Sequence, residues 1–514
     1  MAVCVVTLIP WALTYFNVAI NVDIAFLGLS AQRLLDGDMM STSYYDTNPP
    51  LSILLYTPAA FLTNALSIPL YITTTICSAF YLVISTLCTY ALLKKLPWTQ
   101  DTTQQHLILI TYIFANTISV NHDFGQRDHI LGMALFPFIL AQILITLRIP
   151  FSGWSKWIPL MLGSITILLK PHYGIIPVAI FLCRMVQQRR FWIIKDTDFL
   201  CLSLTTLGYL AIIFIFFNDF ITVILPDIIL FYLGSIDEAV LNPSMKIGAL
   251  ALGLIFAPLL ITHKDNNFPT IMGAIALLSV IAFFLQGKGF IYQYIPAKIF
   301  ISVGIATLIY NLTTNIKSPL IPKGVVTLTV LCAAFIIINN QSIHLDKRPT
   351  HEEYKKLALT KLLNECETKC SFFMFNDKIN IIQELSVYSA QPHASRFPVL
   401  WFLPYLMNSK NNDAMTPNEK EQLEFYKNKH LSFILDDLKR YEPETLLIMD
   451  TNFSMKHPFD FITFTQEQKI DFIDIWANYG FEKTLTIKFD DYIGHPIPKN
   501  TINVDVYKKI IPSQ

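Results

Sequence analysis

Apolar runs separated by short polar breaks fill the first 340 residues of the chain and then stop. A helix needs about 20 apolar residues to cross the core of a bilayer. Runs that approach this length predict about eleven spans, at 1–20, 69–93, 104–121, 130–148, 157–170, 174–187, 198–217, 246–262, 268–286, 296–312 and 323–340. The stretch Pro49–Leu66 is also apolar, but it is short and contains Pro49, Pro50 and Pro58, so it is placed at the membrane surface. After residue 340 the pattern becomes that of a soluble domain. Helical periodicity marks 351–366, 416–439 and 465–479, and short apolar runs at Ser371–Phe375, Thr445–Met449 and Thr484–Phe489 mark strands. The expected fold class is an α-helical polytopic membrane protein (residues 1–340) with a C-terminal soluble α/β domain (residues 341–514).

Composition sharpens this division. Charged residues are 15% of the 514, but 31 fall in the first 340 and 45 in the last 174. Only the second part has the charge density of an ordinary soluble domain. A wholly soluble enzyme and a disordered chain are thereby excluded. The net charge of zero removes the basic excess that nucleic-acid binding requires. The first apolar run has no Lys or Arg before it and no small-x-small cleavage site, so it is expected to be an uncleaved anchor. Six of the eight cysteines sit in apolar runs. Cys366 and Cys370 lie in the soluble part, close enough for a disulfide, and no Cys/His cluster has zinc spacing.

With Pro49–Leu66 at the surface, one set of loops holds 11 basic residues, among them Lys94, Lys95, Arg189 and Arg190, and the opposite set holds six. An excess of Lys and Arg marks the cytoplasmic side. The start of the chain is therefore expected inside, and the tail outside. The acidic residues sort the other way, with Asp23, Asp36, Asp38, Asp46, Asp123, Asp128, Asp219 and Asp227 on the outer side. Acidic residues contribute little to topology, so chemistry on the outer face is one reason for the bias.

The outer loops carry the candidate chemistry, in 21–68 and 121–129. Asp23 follows the first apolar run and opens a helical pattern (Ile24, Leu27, Ala31, Leu34, Leu35) that Gly37 ends. A carboxylate there is either a helix cap or a reacting group. Asp46 precedes the turn Asn48-Pro49-Pro50-Leu51. In Asn121-His122-Asp123-Phe124-Gly125-Gln126-Arg127-Asp128-His129, six of nine residues are charged, His or Gln. Either Arg127 pairs with Asp123 or Asp128 in a solvated loop, or these groups face a cavity. Lys170 with His172, and Lys288 with Tyr292, are isolated cations beside ring and amide donors, suited to an anionic phosphate or to anchoring at the interface.

The order of these features (an acid after the first span, a surface helix ending in Gly, the Asn-Pro-Pro-Leu turn, and an acid opening the fourth span) resembles the GT-C integral-membrane glycosyltransferases. These include protein O-mannosyltransferases, the lipid A aminoarabinose transferase and the lipopolysaccharide core galacturonosyltransferases of rhizobia. The resemblance covers roughly residues 15–310, with a single acid at Asp23 where an acidic pair is usual, since Ile24 follows. It implies transfer of a sugar, with inversion, from a polyprenyl-phosphate donor to a lipid, glycan or protein acceptor at the outer face of the bacterial inner membrane. Asp23 would be the catalytic base and Asp128 the second acid, with Asp123 its rival. Arg127, Lys170, His172, Lys288 and Tyr292 would serve the lipid phosphate. A divalent metal is compatible with this chemistry and not required by it.

The competing reading is a polytopic transporter or a membrane assembly factor with an external binding domain. A transporter places ionisable groups mid-span, whereas here they collect at one face. An outer-face O-antigen ligase or polymerase would use the same lipid chemistry, but with a large loop between late spans. The topology has a direct test: a cysteine replacing Asn411 is expected to react with a membrane-impermeant thiol reagent in intact cells. Labelling only after lysis would reverse the orientation.

Overall fold

The structure is a computed structural model and describes residues 12–510 except 13–14, 190–192, 233–267, 287–289, 315–347, 367–369, 377–380, 410–415, 450–459, 469–470, 489 and 494–500. In chain order the principal helices are α1 (Val22–Leu35), α2 (Thr57–Leu66), α3 (Leu70–Leu93), α4 (Thr102–Asn116), α5 (Arg127–Thr146), α6 (Trp154–Ile167), α7 (Ile175–Gln188), α8 (Thr197–Phe216), α9 (Phe268–Gln286), α10 (Ile295–Thr314), α11 (Ile382–Ser389) and α12 (Pro417–Tyr441). The described residues form two compact units, one from Met1–Phe16, Thr75–Ile212 and Ile236–Ile343, the other from Asn17–Thr74, Ile213–Ser235 and His344–Gln514.

The first unit is a helical bundle. Among the described residues, five helical segments are long and apolar enough to cross a membrane: α3, α5, α8, α9 and Tyr292–Leu312 in α10. Helices α4, α6 and α7 have 14 or 15 residues. The expected spans 246–262 and 323–340, and most of 1–20, lie outside the described residues. Helix α5 is the axis of the bundle: Phe136, Phe138, Ile139 and Leu140 pack with Ile275 of α9 and Ile299, Phe300 and Val303 of α10. Helix α8 instead exposes Leu204, Leu207 and Phe214, as a lipid-facing helix must. The buried charge on α7 is matched. Arg184 of α7 is 1% exposed and grips Asp198 with two bonds of 2.9 and 2.6 Å, and Asp196 at 3.0 Å. Unpaired, either charge would be costly at that depth.

In the second unit, Pro49–Leu66 forms a helical turn, Leu51–Leu54, and then α2. Neither is long enough to span. The tail carries a four-stranded sheet of order β1-β2-β4-β3. Strand β1 (Phe372–Phe375) runs parallel to β2 (Thr445–Met449), while β4 (Thr501–Lys509) is antiparallel to both β2 and β3 (Tyr479–Lys488). Sequence periodicity did not single out β4, although Ile502, Val504 and Val506 alternate inward between polar neighbours. The helix expected at 465–479 is instead two, Phe461–Gln468 and Asp471–Ala477, after which Tyr479 already begins β3. Helix α12 starts where its signals stand: Thr416 and Glu419 form a reciprocal capping box, with Pro417 in the first turn. Cys366 and Cys370 are joined in a disulfide, Cα atoms 6.3 Å apart, just past the helix Ala358–Asn364.

One packing contact makes the bundle testable. Gly163 lets α6 lie directly on α5, and a methyl group there would collide with the Phe138 side chain. Overpacking of this kind costs about 1–3 kcal/mol. Gly163→Ala is expected to lower the thermal stability of the purified protein by that amount, and an unchanged transition would show that the two helices can part.

Candidate active site

The expected residues divide between the two units, and some of those in the first unit come together. In the first unit, Gln126 caps α5 by accepting the backbone N–H of Asp128, which sets Asp128 in the first helical turn. A carboxylate is favoured at that end of a helix. Asp128 is 0% exposed, and its Oδ2 lies 3.0 Å from the Lys170 ammonium, itself 6% exposed. Lys170 also donates to Gln286 Oε1 at 3.3 Å and stands 5.6 Å from the Tyr292 ring centre. The turn Pro171–Gly174 is tied to the segment before α10 by Tyr173, whose hydroxyl donates to the Gln293 carbonyl at 2.8 Å. Asp128, Lys170 and Tyr292, drawn from three polar breaks, therefore meet.

The other residues of this unit are placed less centrally. His172 is half-buried with its ring against Tyr173. Asp123 lies 3.3 Å from His122 Nε2. Arg127 is 7% exposed at the first position of α5. The loop is not the solvated one that a pairing with Arg127 would suit: Gln126, Asp128 and His129 are buried, and His129 Nδ1 accepts the Gly125 N–H. Lys288 lies outside the described residues.

The second unit holds Asp23 and Asp46. The cap of α1 is Asn21, whose side chain accepts the Asp23 N–H at 2.9 Å, so the capping role belongs to Asn21. Asp23 occupies the second helical position, half-buried. Asp46 is 2% exposed and accepts both the backbone and side-chain N–H of Asn48, closing the turn ahead of Pro49-Pro50.

Two carboxylates that the sequence reading did not single out as site residues are prominent here. Asp227 accepts from Tyr45 and pairs with Lys429 at 2.7 Å and His430 at 3.1 Å. Its signal was an acid inside the apolar run 220–232. Glu384 of α11 is 4% exposed, and its Oε2 has no hydrogen-bond partner among the described residues. Burial pushes this carboxyl up to about 8; Arg348 opposes the rise and Asp23 adds to it. Nothing in the local sequence marks Glu384, because its setting is made by α11 packing on α1. Among the described residues, no group of three His, Cys, Asp or Glu side chains is placed to hold a metal ion.

No family model matches the chain, and no curated protein matches it. Solved structures do. ArnT from Cupriavidus metallidurans bound to undecaprenyl phosphate superposes with a TM-score of 0.51 at 10% identity, over 98% of this chain and 97% of that one. The fold is that of ArnT. The apo ArnT structure from the same organism aligns over 86% of this chain and 92% of that one, with 10% identity and a TM-score of 0.48. This ArnT-like fold, mostly helical with a small sheet domain, agrees with the fold class expected from the sequence pattern.

The Glu384 carboxyl gives a pH-dependent prediction. Its folded value lies above the ordinary carboxylate value, so the unfolded chain loses this proton first as pH rises. Its contribution to stability is complete below the ordinary value and is lost between there and about pH 8. Glu384→Gln keeps the neutral shape. The variant is expected to match the wild type at pH 5 and to exceed it at pH 8–9 in thermal denaturation. Parallel curves for the two proteins across this range would refute the assignment.

Proposed function

We propose that this chain transfers a sugar from a polyprenyl-phosphate donor to a lipid, glycan or protein acceptor at the outer face of the membrane. The observation that carries the reading is the end-to-end likeness of fold to ArnT, a protein whose structure is bound to undecaprenyl phosphate. A buried ammonium beside Tyr292 supports it, since Lys170 can exchange part of its contact with Asp128 for a phosphate oxygen. Arg127, His172 and Lys288 are the further candidates to meet that phosphate.

In the proposed reaction Asp23 accepts the proton of the acceptor hydroxyl. The oxygen attacks the anomeric carbon, the bond from that carbon to the phosphate oxygen breaks, and the polyprenyl phosphate leaves with the electron pair. A single displacement inverts the anomeric centre. Phosphate is a sufficient leaving group without a protonating acid, so Asp128 serves by holding Lys170 and Asp46 by holding the loop. Residues 341–514 would then be the outer-face domain of an inner-membrane enzyme.

The test is incubation of the purified protein with labelled polyprenyl-phosphate sugars and candidate acceptors. Asp23→Asn retains size and cannot take a proton at neutral pH. It is expected to fold normally and to lose on the order of 10²–10⁴ in transfer rate, with donor binding little changed. Transfer at near wild-type rate would eliminate Asp23 as the base. Lys170→Met, combined with Asp128→Asn so that no charge is stranded, is expected to weaken donor binding roughly tenfold or more.

A further inference from the structure

The tail holds α1 at both ends. A bridge pairs Val18 with Thr350, with the Ala19 N–H on the Pro349 carbonyl at 3.0 Å and the His351 N–H on the Asn17 carbonyl at 2.9 Å. That antiparallel register brings Arg348 alongside Ile20. The Ile20 N–H donates to the hydroxyl of Tyr388 on α11, at 2.9 Å. At the other end, Arg33 donates to the carbonyls of His393 and Ser395 at 2.6 and 3.0 Å. Glu384 stands one helical turn before Tyr388, so the two side chains share the face of α11 that packs on α1. Asp23 follows Ile20 in the first turn of α1. Pairing and helix geometry thus bring Arg348 and Glu384, both from the tail, to the end of α1 that carries Asp23.

The polar atoms gathered there do not satisfy one another. Glu384 is buried, and so is Tyr354 in the helix His351–Lys355. Glu384 Oε2, the Tyr354 hydroxyl and Arg348 Nε have no hydrogen-bond partner among the described residues. Buried polar atoms of this kind are rare in folded proteins. Two carboxyls and one guanidinium balance in charge only if one carboxyl keeps its proton, and a surplus charge away from water is costly. Glu384 is the more deeply buried of the two acids, since Asp23 is half-buried, so the proton falls to Glu384. Its titration agrees: burial raises it most, Arg348 lowers it and Asp23 raises it. Among the described residues, the other titratable groups around it are Tyr354 and Tyr388, with His351 and Tyr71 against the Tyr388 ring. The helix Ala358–Asn364, which also packs on α11, carries one such side chain, Lys361, and it is exposed.

We infer that Glu384 is a positioning residue for Asp23, a neutral acid whose O–H, together with the Arg348 guanidinium, directs the Asp23 carboxylate toward the acceptor hydroxyl. That role rests on the proposed transfer reaction; the pairing of the two acids does not. A carboxylate accepts several hydrogen bonds, and one donated by a neutral acid fixes its direction without cancelling its charge. An ionised Glu384 would instead compete with Asp23 for Arg348. No proton leaves Glu384 in the reaction: the hydroxyl proton passes to Asp23, and Glu384 keeps its own. The site is thereby completed by the tail, which supplies both groups that act on the base.

The experiment is infrared difference spectroscopy of the purified full chain between about pH 6 and about pH 9, with no substrate present. The wild type is expected to lose one protonated-carboxyl band with a midpoint at about pH 8, and Glu384→Gln should lack that change. Asp23→Asn should move the midpoint down and Arg348→Gln should move it up, because the two charges act on Glu384 in opposite senses. A role in packing alone predicts the same midpoint with and without the Asp23 charge. In the transfer assay with labelled polyprenyl-phosphate sugars, wild-type kcat is expected to fall as pH rises through that midpoint. Glu384→Gln, whose amide still donates, should hold its neutral-pH rate across the range. Glu384→Leu, which cannot donate, should lose roughly tenfold or more in kcat at unchanged KM. No band removed by Glu384→Gln, a midpoint unmoved by Asp23→Asn, or a full rate in Glu384→Leu would each overturn the inference. Coupled midpoints without transfer of any sugar would count against the proposed reaction and not against the pairing of Glu384 with Asp23. Transfer without coupled midpoints would count against Glu384 alone.

Discussion

A charge removed from water has to be met by another charge, and in a chain this apolar that requirement decides which segments come together. Lys170 is held by Asp128 and Arg184 by Asp198 in the first unit; Asp227 is held by Lys429 and His430, and Arg396 by Asp437, in the second. These pairs join residues that lie from 14 to more than 200 positions apart. Hydrophobic burial brings helices together without choosing their ends; each pair selects one rotation and one depth. The apolar core of α5, α9 and α10 provides the bulk of the packing, while the ion pairs give it register.

The same requirement gives the Lys170 pair its chemical interest. Its ammonium is neither solvated nor surplus: it is balanced by one carboxylate and oriented by an amide and a ring. An arriving phosphate would need to compete with Asp128 rather than with water, and the desolvation of the cation is already complete. Preorganisation of this kind favours a ligand with higher charge density than a carboxylate.

Much of the fold was legible because membrane segments and capped helices announce themselves locally. The edges of α3, α8 and α9 follow apolar length, and α12 follows its Thr416/Glu419 box. The division of Pro49–Leu66 into a helical turn and a ten-residue helix followed from its three prolines and its length. Strand β4 was missed because Asn503 and Asp505, types depleted in strands, hold its outward positions, and its alternation gains meaning only between β2 and β3. At the site, the density of polar groups in 121–129 and the isolation of Lys170 were visible, but their partnership was not, since no local pattern links residue 128 to residue 170. The settings of Glu384 and Arg33 were invisible for the same reason: both are defined by neighbours far along the chain.

The composition of the second unit has a consequence in time. It is assembled from 17–74, 213–235 and 344–514, so the segment bearing Asp23 is made more than 300 residues ahead of its partners on α11 and in 390–398. At ordinary translation speeds of about 5–20 residues per second, roughly 18–72 s separate Arg33 from the residues that receive it. During that interval Arg33 has none of its 393–395 carbonyls and Ile20 lacks the Tyr388 hydroxyl. The loop cannot reach its final form until residues 388–395 exist, so this arrangement ties the maturation of the Asp23 region to the synthesis of that distant segment.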